Sequence, residues 1–351
     1  MRGRYGDLLF QLLLSAFLLG VLAWRVDLHE AAGRLRAVSI PWVLAATAAF
    51  AVAQAVAAYR WRLILAHHSN IPLRSITGIY LISRLANVVV PFRGGDIARI
   101  QVAANRFQLS RAELAGTVFG VETPLNWLTM FVIVAVILLF VPVPLLPGEL
   151  IAAATLVLVS AFVTAAFVSE TWYPGDFSTR PVFRWLPARP VELLSTVLNR
   201  FIDGMRELRT PLRALRVFAV SLAVFGSETL VFVLLGQAFA LDLPLYTYIF
   251  VTIGPNLVRT LPLTPGDVGP YEVVLAAVVS LLGETPGAAG SFAIGSHVLI
   301  LLWTAILGLA SARLLGLRAN DLFRYRSNAQ ASSQPASAPA RGPGDNIDDA
   351  R

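Results

Sequence analysis

Long apolar runs separated by short polar interruptions organise the whole chain, and few of the runs contain a charge. Leu8–Trp24 approaches the roughly 18 apolar residues that a bilayer crossing needs, and Pro41–Tyr59, Thr123–Leu146 and Leu150–Ser169 reach it. Val217–Leu241 reads the same way with one acid inside it, and Thr285–Ala312 has no acidic or basic residue other than a histidine. Lipid offers no partner to backbone N–H and C=O groups, so runs of this kind predict helices that satisfy themselves. The pattern is that of an all-α polytopic membrane protein with about six full spans. The first run is preceded by Arg2 and Arg4, as a signal peptide would be. No small-residue cleavage site follows, and Arg25 comes directly after, which favours a retained anchor.

Two further apolar segments are broken. Ser75–Val90 carries Arg84 and then stops at Pro91-Phe92-Arg93-Gly94-Gly95-Asp96. Tyr246–Leu261 carries Arg259 and stops at Pro262-Leu263-Thr264-Pro265-Gly266-Asp267. Both read Pro-x-x-x-Gly-Asp followed by a β-branched residue, Ile97 or Val268. Each copy interrupts a run of half-span length, which predicts two broken, re-entrant helix pairs. By parity of crossings one pair enters from each side, the inverted-repeat plan of many transporters. Two pairs of ordinary tilted spans with tight polar turns are the simpler alternative.

Composition agrees with the pattern and narrows it. Hydrophobic residues make up 56% and charged residues 14% of 351 positions, too little charge to cover a soluble surface. There is no cysteine, which excludes disulfides, thiolate metal sites and a cysteine nucleophile. The four histidines, His29, His67, His68 and His297, lack metal-ligand spacing, so neither a metal nor a cofactor is expected. The net charge of +7 is carried by arginines in loops, the signature of a cytoplasmic face rather than of nucleic-acid binding. Arg2 and Arg4, Arg60 and Arg62, the Arg-rich stretch from about 170 to 216, and Arg313 to Arg326 fall on one side. This places both termini in the cytoplasm, with Arg34 and Arg36 as exceptions. Within that stretch Val191, Leu194, Leu198, Phe201, Met205 and Leu208 recur every three or four residues. They predict an amphipathic helix lying on the inner leaflet, or one packed under the bundle. The expected domains are a membrane domain over 1–317 and a Ser/Ala/Pro/Gly-rich disordered tail over 318–351.

The chemistry gathers at the breaks. Pro91 ends a helix, Gly94 and Gly95 allow a turn, and Asp96 is placed to cap the helix that follows. Arg93 and Arg99 stand beside a helix start whose free N–H groups suit a phosphate. Arg84, Glu122, Glu228 and Arg259 lie in or beside apolar segments, as do Glu113 and Glu272. Charges there cost roughly 2.5–3.5 kcal/mol each on insertion scales and usually mark a pathway. The second break holds Asp267 and Glu272 among Pro262, Pro265, Gly266, Gly269 and Pro270, with Thr264 offering a hydroxyl. His297, alone in the last span, reads as a satisfied core residue.

These residues resemble a known family, the transmembrane region of lysylphosphatidylglycerol synthase, flippase-like proteins of bacterial and archaeal membranes. Asn87, Pro91, Arg93, Gly95, Asp96 and Arg99 match its first signature. Leu261, Pro262, Pro265, Gly266, Gly269 and Glu272 match its second, with Asp267 where glycine is usual. Two departures weaken any shared ion pair: Thr123 follows Glu122 where the family usually has Arg, and His297 stands where a basic residue is commoner. Nothing after the last span reads as the synthase's soluble aminoacyl-transferase domain. The resemblance therefore implies lipid handling in a bacterial cytoplasmic (inner) membrane without lysyl transfer. Its substrate would be an anionic phospholipid or an isoprenoid-linked lipid, with a headgroup site at Asn87, Pro91, Arg93, Gly95, Asp96 and Arg99. The alternatives are an intramembrane lipid- or glycan-modifying enzyme using carboxylates such as Asp96 and Glu122, and a non-transporting scaffold for a neighbouring synthase or glycosyltransferase. Without a P-loop, ATP is not the expected driver, and a proton or sodium gradient acting through Glu122, Glu228 or Glu272 is the alternative.

Overall fold

The computed structural model describes residues 2–26, 28–66, 71–90, 94–140, 155, 159, 188–260 and 264–316. Every regular element among them is helical. In chain order they are α1 (Arg2–Arg25), α2 (Leu28–Arg36), α3 (Ile40–Ile64), α4 (Leu73–Val89), α5 (Gly94–Phe107) and α6 (Arg111–Ala115). A π-helical segment (Gly116–Glu122) runs straight into α7 (Thr123–Phe140). Then come α8 (Ala188–Asp203), α9 (Pro211–Ala238), α10 (Tyr248–Thr260), α11 (Pro270–Leu281) and α12 (Pro286–Leu314).

Four stretches, Ile40–Ile64, Arg111–Ile137, Pro211–Ala238 and Pro286–Leu314, are long and apolar enough to cross a membrane, and Leu13–Arg25 is a shorter apolar helix. They bear out four of the runs expected to span. The run at Leu150–Ser169 and the tail over 318–351 lie outside the described residues. Leu44, Val52, Leu230, Leu302, Ile306 and Leu309 stay exposed on these helices, the face a bilayer would cover.

The broken segments form pairs of short helices. With 17 and 14 residues, α4 and α5 reach about 25 and 21 Å at 1.5 Å per residue; α10 and α11, with 13 and 12, reach about 20 and 18 Å. All four fall short of a hydrocarbon core of about 30 Å. Each pair packs on itself, and α4 also packs on α12 and on the Pro265–Asp267 turn of the other pair. The long seam of the bundle is α3 against α9. On the other side α12 meets α2, α4, α9 and α11, and its Trp303 tilts against Phe50 of α3 at 5.3 Å.

The amphipathic helix is present as α8, but it ends at Asp203, so Met205 and Leu208 of the expected stripe follow it in a turn and a 3-10 segment (Arg206–Arg209) packed against the bundle. Phe201 and Met205 lie over Gly120, and Leu208 is buried in a cluster with Ile64, Val121 and Val217. The reason is a glycine crossing. A Cβ on Gly204 would collide with the Glu113 carbonyl oxygen, and one on Gly116 with the Phe201 carbonyl oxygen. Bare backbones allow the two helices to meet closely, as small residues do in membrane bundles.

Candidate functional site

A polar cavity of about 170 Å³ lies where the two broken segments meet. Arg84, Asn87, Asp96 and Arg99 line it from the first segment, and Arg259, Thr264, Gly266 and Asp267 from the second. Arg60, Glu122, Asn126, Glu228 and His297 complete the wall from the long helices. The contact between the segments is direct: Gly266 sits so close to the Val88 carbonyl oxygen that an added Cβ would stand 3.3 Å from it.

On the first side, α4 folds back on α5 at Gly95. A Cβ there would collide with the Ser83 carbonyl oxygen, so glycine is what permits this approach. The Gly95 N–H, a free donor in the first turn of α5, donates to Asn87 Oδ1 at 2.8 Å. The expected cap is thereby corrected. Because α5 already begins at Gly94, Asp96 lies inside its first turn, and Asn87 supplies the acceptor from α4. Asp96 instead sits 3.5 Å from Arg99, one turn on. Pro91 and Arg93 lie outside the described residues.

Glu122 organises the charge. Its two oxygens accept from Arg60 Nη2 at 3.0 Å and Arg99 Nη2 at 2.9 Å, and all three side chains are buried. Arg60 also donates from Nη1 to Asn126 Oδ1 (2.6 Å) and Ser221 Oγ (3.3 Å). The Arg99 guanidinium stacks 4.7 Å from the Trp61 ring centre and 5.4 Å from that of Tyr80. Paired and stacked, the triad meets the cost of burying charge together with Asp96, two guanidinium groups against two carboxylates. Thr123 after Glu122 thus leaves the ion pairing intact, with Arg60 as the second cation. The π segment ends at Glu122, and Thr123 donates from Oγ1 to the Val118 carbonyl at 3.0 Å, five residues back. Wide turns of this kind shift the register of a helix face and recur at functional sites.

The second side bonds the backbone of its own turn. Gly266 (φ 62°), Asp267 (φ 59°) and Gly269 (φ 98°) are all left-handed, which explains how the turn is made. Aspartate tolerates this region better than most side chains, so Asp267 adopts a conformation natural to the glycine more usual in the resembled family. The Val268 carbonyl oxygen accepts from Thr264 Oγ1 and from Ser15 Oγ of α1, each at 2.9 Å. The Gly269 N–H donates to Glu272 Oε2 at 2.7 Å. The other oxygen of Glu272, Oε1, lies 2.6 Å from Nδ1 of His297, whose ring stacks on Tyr271 with centres 3.9 Å apart. Glu228 is partnered by Asn256 Nδ2 at 3.2 Å.

Most predicted site residues therefore converge. Glu272 and Gly269 reach the cavity through His297 rather than lining it. Pro265 only shapes the turn, Glu113 lies beside Gly204 away from the cavity, and Pro262 is outside the described residues. Sequence reasoning assigned Arg60 to a cytoplasmic loop and passed over Asn126 and Ser221. A usable signal existed: Glu122 and Asn126, four apart, share a helix face. Among the described residues no group of three metal-ligating side chains occurs.

Apolar helices around a buried, charged cavity define an integral helical membrane protein. The chain belongs to the family described as Lysylphosphatidylglycerol synthase TM region, whose pattern matches residues 8–308. No curated protein and no solved structure matches the chain.

Proposed function

We propose that this protein is a lipid flippase-like permease that receives the phosphate-bearing headgroup of an anionic lipid between its two hinges. The acyl chains remain in the bilayer while the headgroup crosses the cytoplasmic membrane. One observation carries the reading: a single cavity is shared by both broken segments, and it holds a cation that pairs with no carboxylate among the described residues. Arg84 lines the cavity, is half-buried, and forms no ion pair among the described residues. Arg60 and Arg99 are already held by Glu122, so Arg84 is the guanidinium best able to receive a phosphate in pairs of hydrogen bonds.

The lengths of α4, α5, α10 and α11 support re-entrant pairs arranged as an inverted repeat, with hinge backbone tolerated because it faces a polar cavity. Arg62 in the last turn of α3 and Arg206 and Arg209 before α9 support cytoplasmic termini. The enzyme reading needs carboxylates poised for proton transfer. Asp96 and Glu122 are both bridged by Arg99, an arrangement that fixes charge rather than moving a proton. A scaffold reading loses part of its docking stripe, since Phe201, Met205 and Leu208 pack within the bundle.

The test is headgroup translocation in vesicles of phosphatidylcholine containing labelled phosphatidylglycerol. The wild type is expected to move label between leaflets, and Arg84→Ala to slow it at least tenfold while unfolding at an unchanged temperature. Equal rates in the two, or no movement with either, would remove the assignment.

A further inference from the structure

The Glu272–His297 pair is the buried titratable group that the headgroup reading leaves without a task. Glu272 and His297 are both buried, His297 borders the cavity, and their 2.6 Å contact joins α11 to the middle of α12. The same carboxylate holds the Gly269 N–H, where the chain turns with φ 98° into α11. Imidazole is the side chain suited to gaining and losing a proton near neutral pH. Glu272 occupies Nδ1, which leaves Nε2 as the atom for a second proton.

The surroundings state what that proton would do. Besides Glu272, α11 presents the stacked Tyr271. The turn brings Asp267, α10 brings Arg259, α4 brings Arg84 and α9 brings Glu228 to the same cavity. Toward α2, the chain meets Gly295 through Leu35, and Arg34 is held by Glu30 at 3.0 Å. α3 contributes Phe50 against Trp303 and, at the cavity wall, Arg60. α12 has no other charged residue before Arg313. Counted with Glu272, four lining arginines (Arg60, Arg84, Arg99, Arg259) face five carboxylates (Asp96, Glu122, Glu228, Asp267, Glu272). An incoming phosphate adds negative charge to a lining already rich in carboxylates. A proton on His297 offsets that added charge.

Resting on the transport reading above, we infer that His297, held by Glu272, is a proton-binding site that loads together with the anionic headgroup, making the protein a proton–lipid symporter. Binding coupled in this way is reciprocal: the proton favours the headgroup and the headgroup favours the proton. Because Glu272 also caps the second hinge, filling or emptying the site acts on the backbone that must move.

The experiment uses the full chain in the same vesicles, with the rate of phosphatidylglycerol translocation measured with and without an imposed gradient of one pH unit. Wild type, His297→Gln and Glu272→Gln are each scored by the ratio of the two rates, so that changes in yield or basal rate do not count. The wild-type ratio is expected to be about 5 or more, within the range of typical coupling factors. It should fall to one in both variants and in wild type treated with a protonophore. A wild-type ratio of one, or a ratio retained in His297→Gln, overturns the proton site and leaves translocation itself standing. Absence of any wild-type translocation overturns both readings.

Discussion

The two hinges solve the same problem, polar groups inside a bundle, by opposite means. The first, around Gly95, sets formal charge against formal charge: Glu122 between Arg60 and Arg99, with aromatic faces over Arg99. The second, around Gly269, satisfies backbone groups with Thr264, Ser15 and Glu272 and keeps one carboxylate on an imidazole. The first is locked, because removing Glu122 strands two buried guanidinium groups. The second shares its buried carboxylate between a backbone N–H and an imidazole, with no arginine on it.

Breaking the lock should give the largest effect. Glu122→Ala leaves two buried guanidinium groups facing each other and is expected to cost about 3–5 kcal/mol. Thermal unfolding in detergent would register this as a loss of most folded protein. Replacing Arg60, Glu122 and Arg99 together by leucine should be less harmful than Glu122→Ala, since only the partly exposed Asp96 then loses its partner. Were the triple variant the worse of the two, the triad would matter as more than a neutralised cluster.

Steric change at the crossing comes next. Gly95→Ala forces α4 away from α5 and should cost about 1–3 kcal/mol, whereas Gly269→Ala meets only Ser15 and Leu18 at 3.2 Å but must hold a φ of 98°. That strain is worth on the order of 1–3 kcal/mol. Engineered cysteine pairs across each hinge would show whether the first mutation loosens only α4–α5 and the second only the α1–α11 contact.

Smaller still is Asn87→Ala, which removes the acceptor for the Gly95 N–H and should cost about 1–2 kcal/mol. Hydrogen exchange at the start of α5 should quicken while α11 is unaffected. The smallest effect belongs to Thr285→Ala at the start of α12, distant from both hinges. Its hydroxyl caps Ala288 N and bonds Glu30, so about 1 kcal/mol is expected from denaturant titration, with no change in the cavity.

Much of this molecule was legible as text. The length of the apolar runs located α3, α7, α9 and α12, because in lipid a run of apolar residues has few choices but helix. The two Pro/Gly interruptions were visible as a near-repeat, and Arg84, Asp96, Arg99, Glu122, Glu228, Arg259, Thr264 and Asp267 proved to share one cavity. The π segment was not legible, since Gly116–Glu122 carries no local mark that distinguishes it from ordinary helix. Nor was the fate of α8, whose stripe looks the same whether it meets lipid or protein.

What the sequence determined by itself was the helical, membrane-embedded class and the positions where the helices break, because solvent and backbone sterics act residue by residue. Partnership was decided only in three dimensions. Arg60 meets Glu122 across 62 positions of chain, and Glu272 meets His297 across 25, through helix crossings that glycines permit and no linear spacing encodes. Charge pairing depends on distance in space, and spatial distance between helices is a property of the packed bundle.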